Sequence, residues 1–227
     1  MKILGYMLGT LIMALSASSI GVFPGLIVGV LVSTFVNTVF FSATPSGMPT
    51  STGENTNFEQ PPLNLSDAET QFKLGQAHRL GAGVPKSFEQ AFAWIQKSAG
   101  KGFAEAQNML GFMYSRGEGT PQNSTEAYHW YLLSAQQGNS KGQTNLGYVF
   151  ADESSEFHNY AEAVKWLLNA AEQGEELAQE KLAELYYYGR SARQDYTLAA
   201  KWYRLAAAQG SQDAEHMLGV MQYRGEV

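Results

Sequence analysis

The sequence predicts an all-α fold: an α-solenoid of about four and a half two-helix repeats with a 36-residue period, preceded by one or two transmembrane helices. Three observations favour it. An apolar stretch fills residues 3–41, the same residue types recur every 36 positions after residue 67, and each recurring unit has two segments bounded by helix-capping residues. We therefore divide the chain into a membrane segment at 1–41, a flexible linker at 42–66 and a repeat domain at 67–227.

The apolar stretch is too long for a single crossing. As one straight helix, residues 3–41 would extend roughly 58 Å, about twice the ~30 Å hydrocarbon core of a bilayer. Pro24 and Gly25 mark a natural break, so we expect a two-helix hairpin. The alternative is a signal peptide with Lys2 before it and Ser16-Ala17-Ser18 at its end, in which case residues 20–41 remain as an anchor. Both interpretations keep the chain attached to the membrane, through a lipid-contacting segment within residues 3–41.

The sequence leaves two alternatives for the side of the membrane on which the solenoid lies. Two crossings return the rest of the chain to the cytoplasm, and we expect the solenoid on the cytoplasmic face of a bacterial inner membrane. Residues 42–72 contain no Lys or Arg, however, whereas cytoplasmic flanks are usually enriched in them, so the periplasmic face is the alternative. Residues 42–66 are rich in Ser, Thr, Pro, Asn and Gly without apolar periodicity, which is typical of a flexible tether.

The 36-residue period is defined by Leu, Gly and Trp. A Leu–Gly pair recurs five times, with Ala183 replacing one Gly, and all four Trp of the chain share one repeat position. Gly inside a helix costs about 1 kcal/mol relative to Ala, so its return indicates close approach of a neighbouring helix. The expected repeat core is therefore Leu74, Gly75, Trp94, Leu110, Gly111, Trp130, Leu146, Gly147, Trp166, Leu182, Trp202, Leu218 and Gly219.

Each unit is predicted to contain two helices, A at about 68–80 and B at about 88–101 in the first copy. Helix A of this copy should begin at Ser66 with Glu69, and later copies should end at Gly117, Gly189 and Gly225, as the first ends at Gly81. Helix B has N-cap residues 36 apart, three of which are followed by Gln or Glu in a capping-box pattern: Ser87, Asn123, Asn159 and Asp195. A single two-helix unit cannot bury its apolar face, so the units must stack.

These repeats resemble a known family. Residues 110–138, LGFMYSRGEGTPQNSTEAYHWYLLSAQQG, are similar to the Sel-one-like repeat (SLR) family, a branch of the tetratricopeptide-like solenoids, as are KWYRLAAAQG at 201–210 and GAGV at 81–84. The resemblance implies a right-handed α-solenoid that serves as a scaffold or adaptor for other proteins. Two departures stand out: Glu153 and Ser155 replace both loop glycines of the third unit, and the last unit stops at Val227, so that a lone helix caps the array or the chain is truncated.

Comparing the copies with one another indicates where a partner would bind. The variable positions of helix A lie at i, i+4 and i+8, on one face, which the resemblance places on the concave side of the solenoid. Their aromatic, charged and amide side chains are typical of protein-recognition surfaces, although a solvated face that varies freely is the alternative. The predicted partner-binding residues are Phe72, Gln76, Asn108, Phe112, Arg116, Tyr148, Glu184 and Tyr188.

Composition and motifs argue against other functions. A formal net charge of −6 leaves no basic stripe for nucleic acid, and the absence of Cys excludes thiolate metal sites, disulfides and cysteine nucleophiles. Residues 81–87 lack the Gly that precedes the Lys of a phosphate loop, and the chain contains no Gly-x-Ser-x-Gly motif. The four His show no metal-ligand spacing, and His78 occupies an aromatic packing position.

We therefore expect no enzyme activity, cofactor, metal or small-molecule substrate. The predicted function is a membrane-anchored protein–protein interaction scaffold with protein partners. The alternative is a periplasmic envelope accessory factor that supports polysaccharide or peptidoglycan machinery.

Overall fold

The computed structural model describes residues 65–190 and 193–227. The predicted membrane segment and the linker up to residue 64 lie outside the described residues. No helix within the described ranges has the length and apolar character needed to span a bilayer. The membrane segment, the hairpin break at Pro24 and the side of the membrane therefore stay predictions.

The described ranges form an α-solenoid built from two-helix units, as the sequence predicted. The nine helices of this part are α1 (Ala68–Leu80), α2 (Phe88–Ala99), α3 (Ala104–Arg116), α4 (Ser124–Gln136), α5 (Ser140–Ala151), α6 (Tyr160–Glu172), α7 (Glu176–Tyr188), α8 (Tyr196–Ala208) and α9 (Gln212–Arg224). Odd-numbered helices are helix A of their units and even-numbered ones are helix B. Each helix packs against its neighbours in the chain, and α3 also contacts α5, as α5 contacts α7.

The helix B starts are set by the predicted N-cap residues. The side chains of Ser87, Asn123, Asn159 and Asp195 each accept a hydrogen bond from the backbone N–H three residues later. The second half of the capping box is not formed, because the N-cap N–H donates instead to a carbonyl of the preceding helix A, as Asn123 does to Tyr114 at 2.9 Å. This bond ties the two helices of a unit together.

The N-cap of the first helix lies one residue later than predicted, although the helix itself has the predicted bounds. Asp67, not Ser66, is the N-cap of α1, because its carboxylate accepts from both the N–H and the hydroxyl of Thr70, at 2.9 and 3.1 Å. The left-handed glycines predicted to end helix A are present at Gly81, Gly117, Gly189 and Gly225. Helix B is shorter than expected, ending at Ala99 in the first unit, three residues before the left-handed Gly102.

In each described helix B the most buried large side chain belongs to the residue after the Trp. Ile95 and Leu167 are fully buried and Tyr131 and Tyr203 nearly so, whereas Trp202 alone among the Trp is buried and the other three are half-buried. The expectation that all four indoles form the core is thus corrected for Trp94, Trp130 and Trp166. Their rings reach the surface, where Lys97 lies 4.3 Å from the Trp94 ring centroid and Lys165 lies 5.4 Å from that of Trp166.

In the first three units the glycine of helix A faces the residue that follows the Trp of helix B. A Cβ on Gly75 would lie 2.6 Å from Ile95, and one on Gly147 would lie 2.5 Å from the Leu167 side chain. Such separations are well inside normal carbon–carbon contact. The glycine therefore lets helix B approach helix A in the first three units.

The two ends of the described array differ from its middle. Leu110, Leu146 and Leu182 are fully buried, whereas Leu74 and Leu218 are only half-buried. The reason is that α1 and α9 each have a described neighbour on one side only. Gly219 is likewise exposed, with no atom within 4 Å of a Cβ placed on it, so its predicted core position is corrected.

A ladder of buried glutamines connects consecutive units. Gln107 donates to the carbonyl of Ala99 in the preceding unit at 3.3 Å, and its own oxygen accepts from Gln137 at 2.6 Å. The same pair of bonds recurs at 36-residue intervals, with Gln173 donating to Gln143 and Gln209 to Gln179. Lys101 occupies the corresponding position of the first unit and donates to Ser66, which leaves the side-chain oxygen of Gln71 without a partner.

Candidate protein-interaction groove

Phe112 lies at the centre of a cationic cluster on helix A of the second unit. The guanidinium carbons of Arg79 and Arg116 lie 5.0 and 5.6 Å from its ring centroid. Arg79 is held there by Glu118, to which it donates two hydrogen bonds at 2.7 and 3.4 Å. Arg79 belongs to α1, in the first unit, and Glu118 to the loop after α3, in the second. This cluster therefore joins the first two units.

Asn108 connects to the next helix A through an amide pair. The Asn145 side chain donates to the Asn108 oxygen at 2.7 Å. The other two predicted residues from the N-terminal half are placed elsewhere: Phe72 packs edge-on against Phe103 at 5.3 Å between ring centroids, and Gln76 is half-buried on α1. The structure does not bring Phe72 or Gln76 together with the remaining predicted residues.

Tyr148 occupies in the third unit the position of Phe112. Its side chain is 37% exposed, and its hydroxyl donates to the Leu177 carbonyl at 3.3 Å. Lys181 lies 5.8 Å from the ring centroid and is paired with Glu184 at 2.8 Å. Burial raises the pKa of Tyr148 to about 12, with a further contribution from the nearby carboxylates of Glu180 and Glu184.

The fourth unit contributes Tyr188 and Arg190. Tyr188 is 56% exposed, and the Arg190 guanidinium lies 5.7 Å from its ring centroid. Arg190 also donates to Glu153 at 2.9 Å and to the Tyr160 hydroxyl at 3.0 Å. The Tyr160 hydroxyl donates to the same Glu153 carboxylate, so this network connects the loops of the third and fourth units.

A cavity of about 600 Å³ lies beside these residues, where the second unit meets the third. A second cavity of about 410 Å³ adjoins it, and Ser115, Tyr131, Val149 and Asp152 line both. We call the two together the groove. Of the eight predicted partner-binding residues, only Tyr148 lines the groove. The remaining lining residues were not predicted from the sequence; they include Ser115, Tyr131, Asn145, Asp152, Lys181 and Arg190.

The groove lies where the repeat loses its loop glycines. In the second unit Gly119, at φ 72°, packs so closely on Phe88 of the preceding helix B that a Cβ on it would overlap the Phe88 carbonyl. The equivalent residues of the next unit are Ser155 and Ser124, and both line the second cavity. A side chain at position 155 prevents the close backbone contact that Gly119 makes, so the loop of the third unit lacks this contact with helix B.

In the third unit, side-chain contacts with α4 hold the loop in place of that backbone contact. Phe157 stacks on Tyr128 with 4.0 Å between ring centroids and 8° between ring planes, and Thr125 donates to Glu156 at 2.9 Å. Asp152 ends α5 in an extended conformation, where the other units with described loops have a left-handed glycine. The departure noted in the sequence therefore gives the third unit a different loop, as predicted.

Metal-binding geometry is lacking in the described ranges, where no group of three or more His, Asp or Glu side chains is arranged around a common point. His78 is buried in the helix A position that holds Tyr114 in the next unit, with Nδ1 3.3 Å from the Pro85 carbonyl oxygen. Its position matches the packing role that the sequence predicted.

Comparison with known proteins identifies the repeat. A family model described as Sel1 repeat matches residues 68–103, 104–139, 140–175 and 177–211, in register with the two-helix units. A protective antigen from uropathogenic Escherichia coli strains, which displays an SLR fold, is 35% identical with a TM-score of 0.67; the match covers 70% of this chain and 34% of that one. A Sel1 repeat protein from Oxalobacter formigenes is 30% identical with the same TM-score, covering 73% of this chain and 66% of that one.

The chain thus spans about a third of the length of the first of these proteins and less than two thirds of the second. A comparison with curated proteins gives no match.

Proposed function

Because this chain belongs to the Sel1 repeat family, we propose that it is a membrane-anchored scaffold for protein–protein interaction. Proteins of this family generally act as interaction scaffolds, and their solenoids are typically non-enzymatic. In the proposed arrangement residues 3–41 attach the chain to lipid, residues 42–66 act as a tether, and the solenoid presents its helix A face to a protein partner.

The groove is the observation that best supports a partner on this face. Tyr148 lines it, while Phe112, at the same helix A position of the preceding unit, and the exposed Tyr188 belong to the same predicted face outside the two cavities. Tyr, Phe and Arg are enriched at protein interfaces: the aromatic rings combine a large contact area with few rotatable bonds, and the guanidinium offers several hydrogen-bond donors. The residues that fix the repeat are by contrast buried Leu and Ala, so the variable face is free to differ between relatives.

A matched pair of double variants tests this surface. Phe112→Ala with Tyr148→Ala removes two aromatic side chains beside the groove, and Leu205→Ala with Tyr223→Ala removes two exposed side chains that line neither cavity. We expect the first pair to reduce crosslinking to partner proteins at least tenfold, measured by quantitative mass spectrometry in cells, and the control pair to leave it unchanged. Equal capture by both variants, with unchanged thermal unfolding, would contradict the proposal.

The anchor and its orientation require separate measurements. Deleting residues 3–41 should move the chain from the membrane fraction to the soluble fraction. We propose the cytoplasmic face of the bacterial inner membrane for the solenoid, because two crossings return the chain to that side. A reporter enzyme that is active only in the cytoplasm, fused after Val227, should then be active.

One observation favours a second candidate. Residues 42–72 lack Lys and Arg, which is unusual for a cytoplasmic flank. If a periplasm-specific reporter fused after Val227 is the active one, the chain becomes a candidate envelope accessory factor that supports polysaccharide or peptidoglycan machinery.

A further inference from the structure

The polar groups that line the groove differ in whether their hydrogen-bonding capacity is already used. The two cations have carboxylate partners: Lys181 donates to Glu184 at 2.8 Å, and Arg190 donates to Glu153 at 2.9 Å. The amide nitrogen of Asn145 donates to Asn108, which leaves its oxygen as an acceptor. Both cations of the groove therefore already have a carboxylate partner, while the Asn145 oxygen remains an acceptor.

Tyr131 adds a buried acceptor. Its side chain is only 4% exposed, and its hydroxyl has one hydrogen bond, with Ser115 at 3.3 Å. That distance is well above the 2.7–2.8 Å usual for O–H···O bonds. The Ser115 hydroxyl donates to the Phe112 carbonyl at 2.8 Å, so Tyr131 is the donor to Ser115. The lone pairs of the Tyr131 oxygen are then left for a group inside the groove.

Asp152 supplies an unpaired carboxylate at the junction of the two cavities. Its hydrogen bonds both end on Oδ1, from the backbone N–H of Ser154 at 2.9 Å and from the Ser154 hydroxyl at 2.7 Å. No cation of the described residues lies within ion-pair distance of it. The second carboxylate oxygen therefore remains available.

Charge around the groove favours a cation. Among the side chains that line the two cavities, three are carboxylates and two are cations: Asp152, Glu153 and Glu156 against Lys181 and Arg190. Both cations already have a carboxylate partner, whereas Asp152 and Glu156 have no cation of the described residues within ion-pair distance; Arg116, Glu180 and Glu184 lie outside the lining. A positively charged ligand rich in hydrogen-bond donors therefore complements this lining.

We propose that the groove binds an arginine side chain of the partner protein, with its guanidinium on Asp152 and Tyr131. A guanidinium carries five N–H donors in one plane and no acceptor, so it can donate to a carboxylate and a phenol oxygen together, which the ammonium of Lys matches less well. The exposed ring of Tyr148 offers a face on which the group can stack. This inference rests on the proposed function, because the arginine is taken to belong to a protein partner.

Short peptides test the inference without knowledge of the partner. The probe is a dye-labelled Gly-Ser-Arg-Ser-Gly peptide, compared by fluorescence anisotropy on the purified full chain with peptides that carry citrulline or Glu in place of Arg. Citrulline keeps the shape of Arg but loses the charge. We expect the Arg peptide to bind at least tenfold more tightly than the citrulline peptide and the Glu peptide not to bind.

Two variants and one control test whether the Arg peptide binds in the groove. Asp152→Asn keeps an oxygen for both Ser154 bonds and removes the charge, so the loop should stay folded while affinity for the Arg peptide falls about tenfold. Glu172→Gln removes an exposed carboxylate at the end of α6, away from the groove, and should leave affinity unchanged. Tyr131→Phe should weaken binding several-fold, with thermal unfolding as the check on its packing beside Gly111.

Three results would overturn the inference: no binding of the Arg peptide up to millimolar chain, equal affinity for the citrulline or Glu peptide, or equal affinity in Asp152→Asn and Glu172→Gln. Any of these, together with loss of partner crosslinking in the Phe112→Ala and Tyr148→Ala variant, would leave the proposed scaffold function standing and remove only the arginine. Unchanged crosslinking with Arg-peptide binding intact would instead overturn the proposed partner surface.

Discussion

The second and third repeats carry the same pair of helices but connect them differently. In the second, α3 ends at the left-handed Gly117, and Gly119 packs on Phe88 of the preceding helix B. In the third, α5 ends at the extended Asp152, and Ser155 takes the position of Gly119. The groove lies beside the loop without glycine, and both cavities are lined by Asp152.

This difference shows how a repeat protein can gain a site without altering its core. Leu146 and Leu167 are as deeply buried in the third repeat as Leu110 is in the second. Only the loop has changed, and a ring stack between Phe157 and Tyr128 replaces the backbone contact that glycine allows. The repeat that departs from the pattern is the one with space for a ligand.

The largest expected effect comes from closing the glycine position of the second repeat. Gly119→Ala adds a Cβ that overlaps the Phe88 carbonyl, at a residue with φ 72° that L side chains rarely adopt. Steric overlap against backbone and a left-handed conformation each cost about 1–2 kcal/mol, so we expect a loss of about 3 kcal/mol in the free energy of unfolding. Urea denaturation followed by circular dichroism measures it.

Gly138→Ala is the matched control. Gly138 also has a positive φ, 83°, but a Cβ there meets no atom within 4 Å. Only the conformational cost of about 1–2 kcal/mol should remain. If both variants lose the same free energy, contact with Phe88 is not what holds the second loop in place, and the comparison between the two loops fails.

An ion pair joins each of these loops to a neighbouring unit, and the two pairs should differ in strength. Arg79 and Glu118, in the second repeat, are about one-fifth exposed and joined by two hydrogen bonds; Arg190 and Glu153, in the third, are 42% and 64% exposed. We expect Glu118→Gln to lower the free energy of unfolding by about 1.5 kcal/mol and Glu153→Gln to lower it by clearly less, because solvent screens the exposed pair. Equal losses at low salt would show that the burial of the first pair has no energetic consequence.

Much of this fold could be predicted because each repeat position has one dominant physical requirement. Gly117, Asn123 and their equivalents mark helix ends through backbone geometry and capping, which depend on local sequence. The Trp positions were assigned to the core on size alone. The structure buries the following residue instead, because that residue faces the helix A glycine and the indole packs at the edge beside a lysine.

The groove was harder to predict than the core, because its lining depends on how far one loop stands from another helix. Tyr148 was found from its position on the variable face, and the loss of the glycines at 153 and 155 signalled a different loop. Tyr131 occupies the same position as the buried Ile95, so nothing in the repeat pattern distinguishes its hydroxyl as a groove-lining group. The Gln107 series recurs every 36 residues and was detectable, but its role needed the hydrogen bonds.

The smallest expected effect tests the one chemical difference between Phe112 and Tyr148, which share a repeat position. The folded state raises the pKa of Tyr148 from 10 to about 12, chiefly through burial. The neutral phenol is therefore favoured by folding: its contribution is complete below pH 10 and is lost as the pH rises from 10 through 12. Tyr148→Phe gives the third repeat the residue of the second and removes this proton, so the free energy of unfolding of the variant should fall less steeply over that range.

Because the ring of Tyr148 is 37% exposed, solvent screens part of the effect. Buried tyrosines such as Tyr131, whose pKa burial also raises, leave a residual slope in both proteins. Urea unfolding at pH 9, 10, 11 and 12 measures the two slopes, and identical slopes would mean that Tyr148 ionises as freely in the folded chain as in the unfolded one.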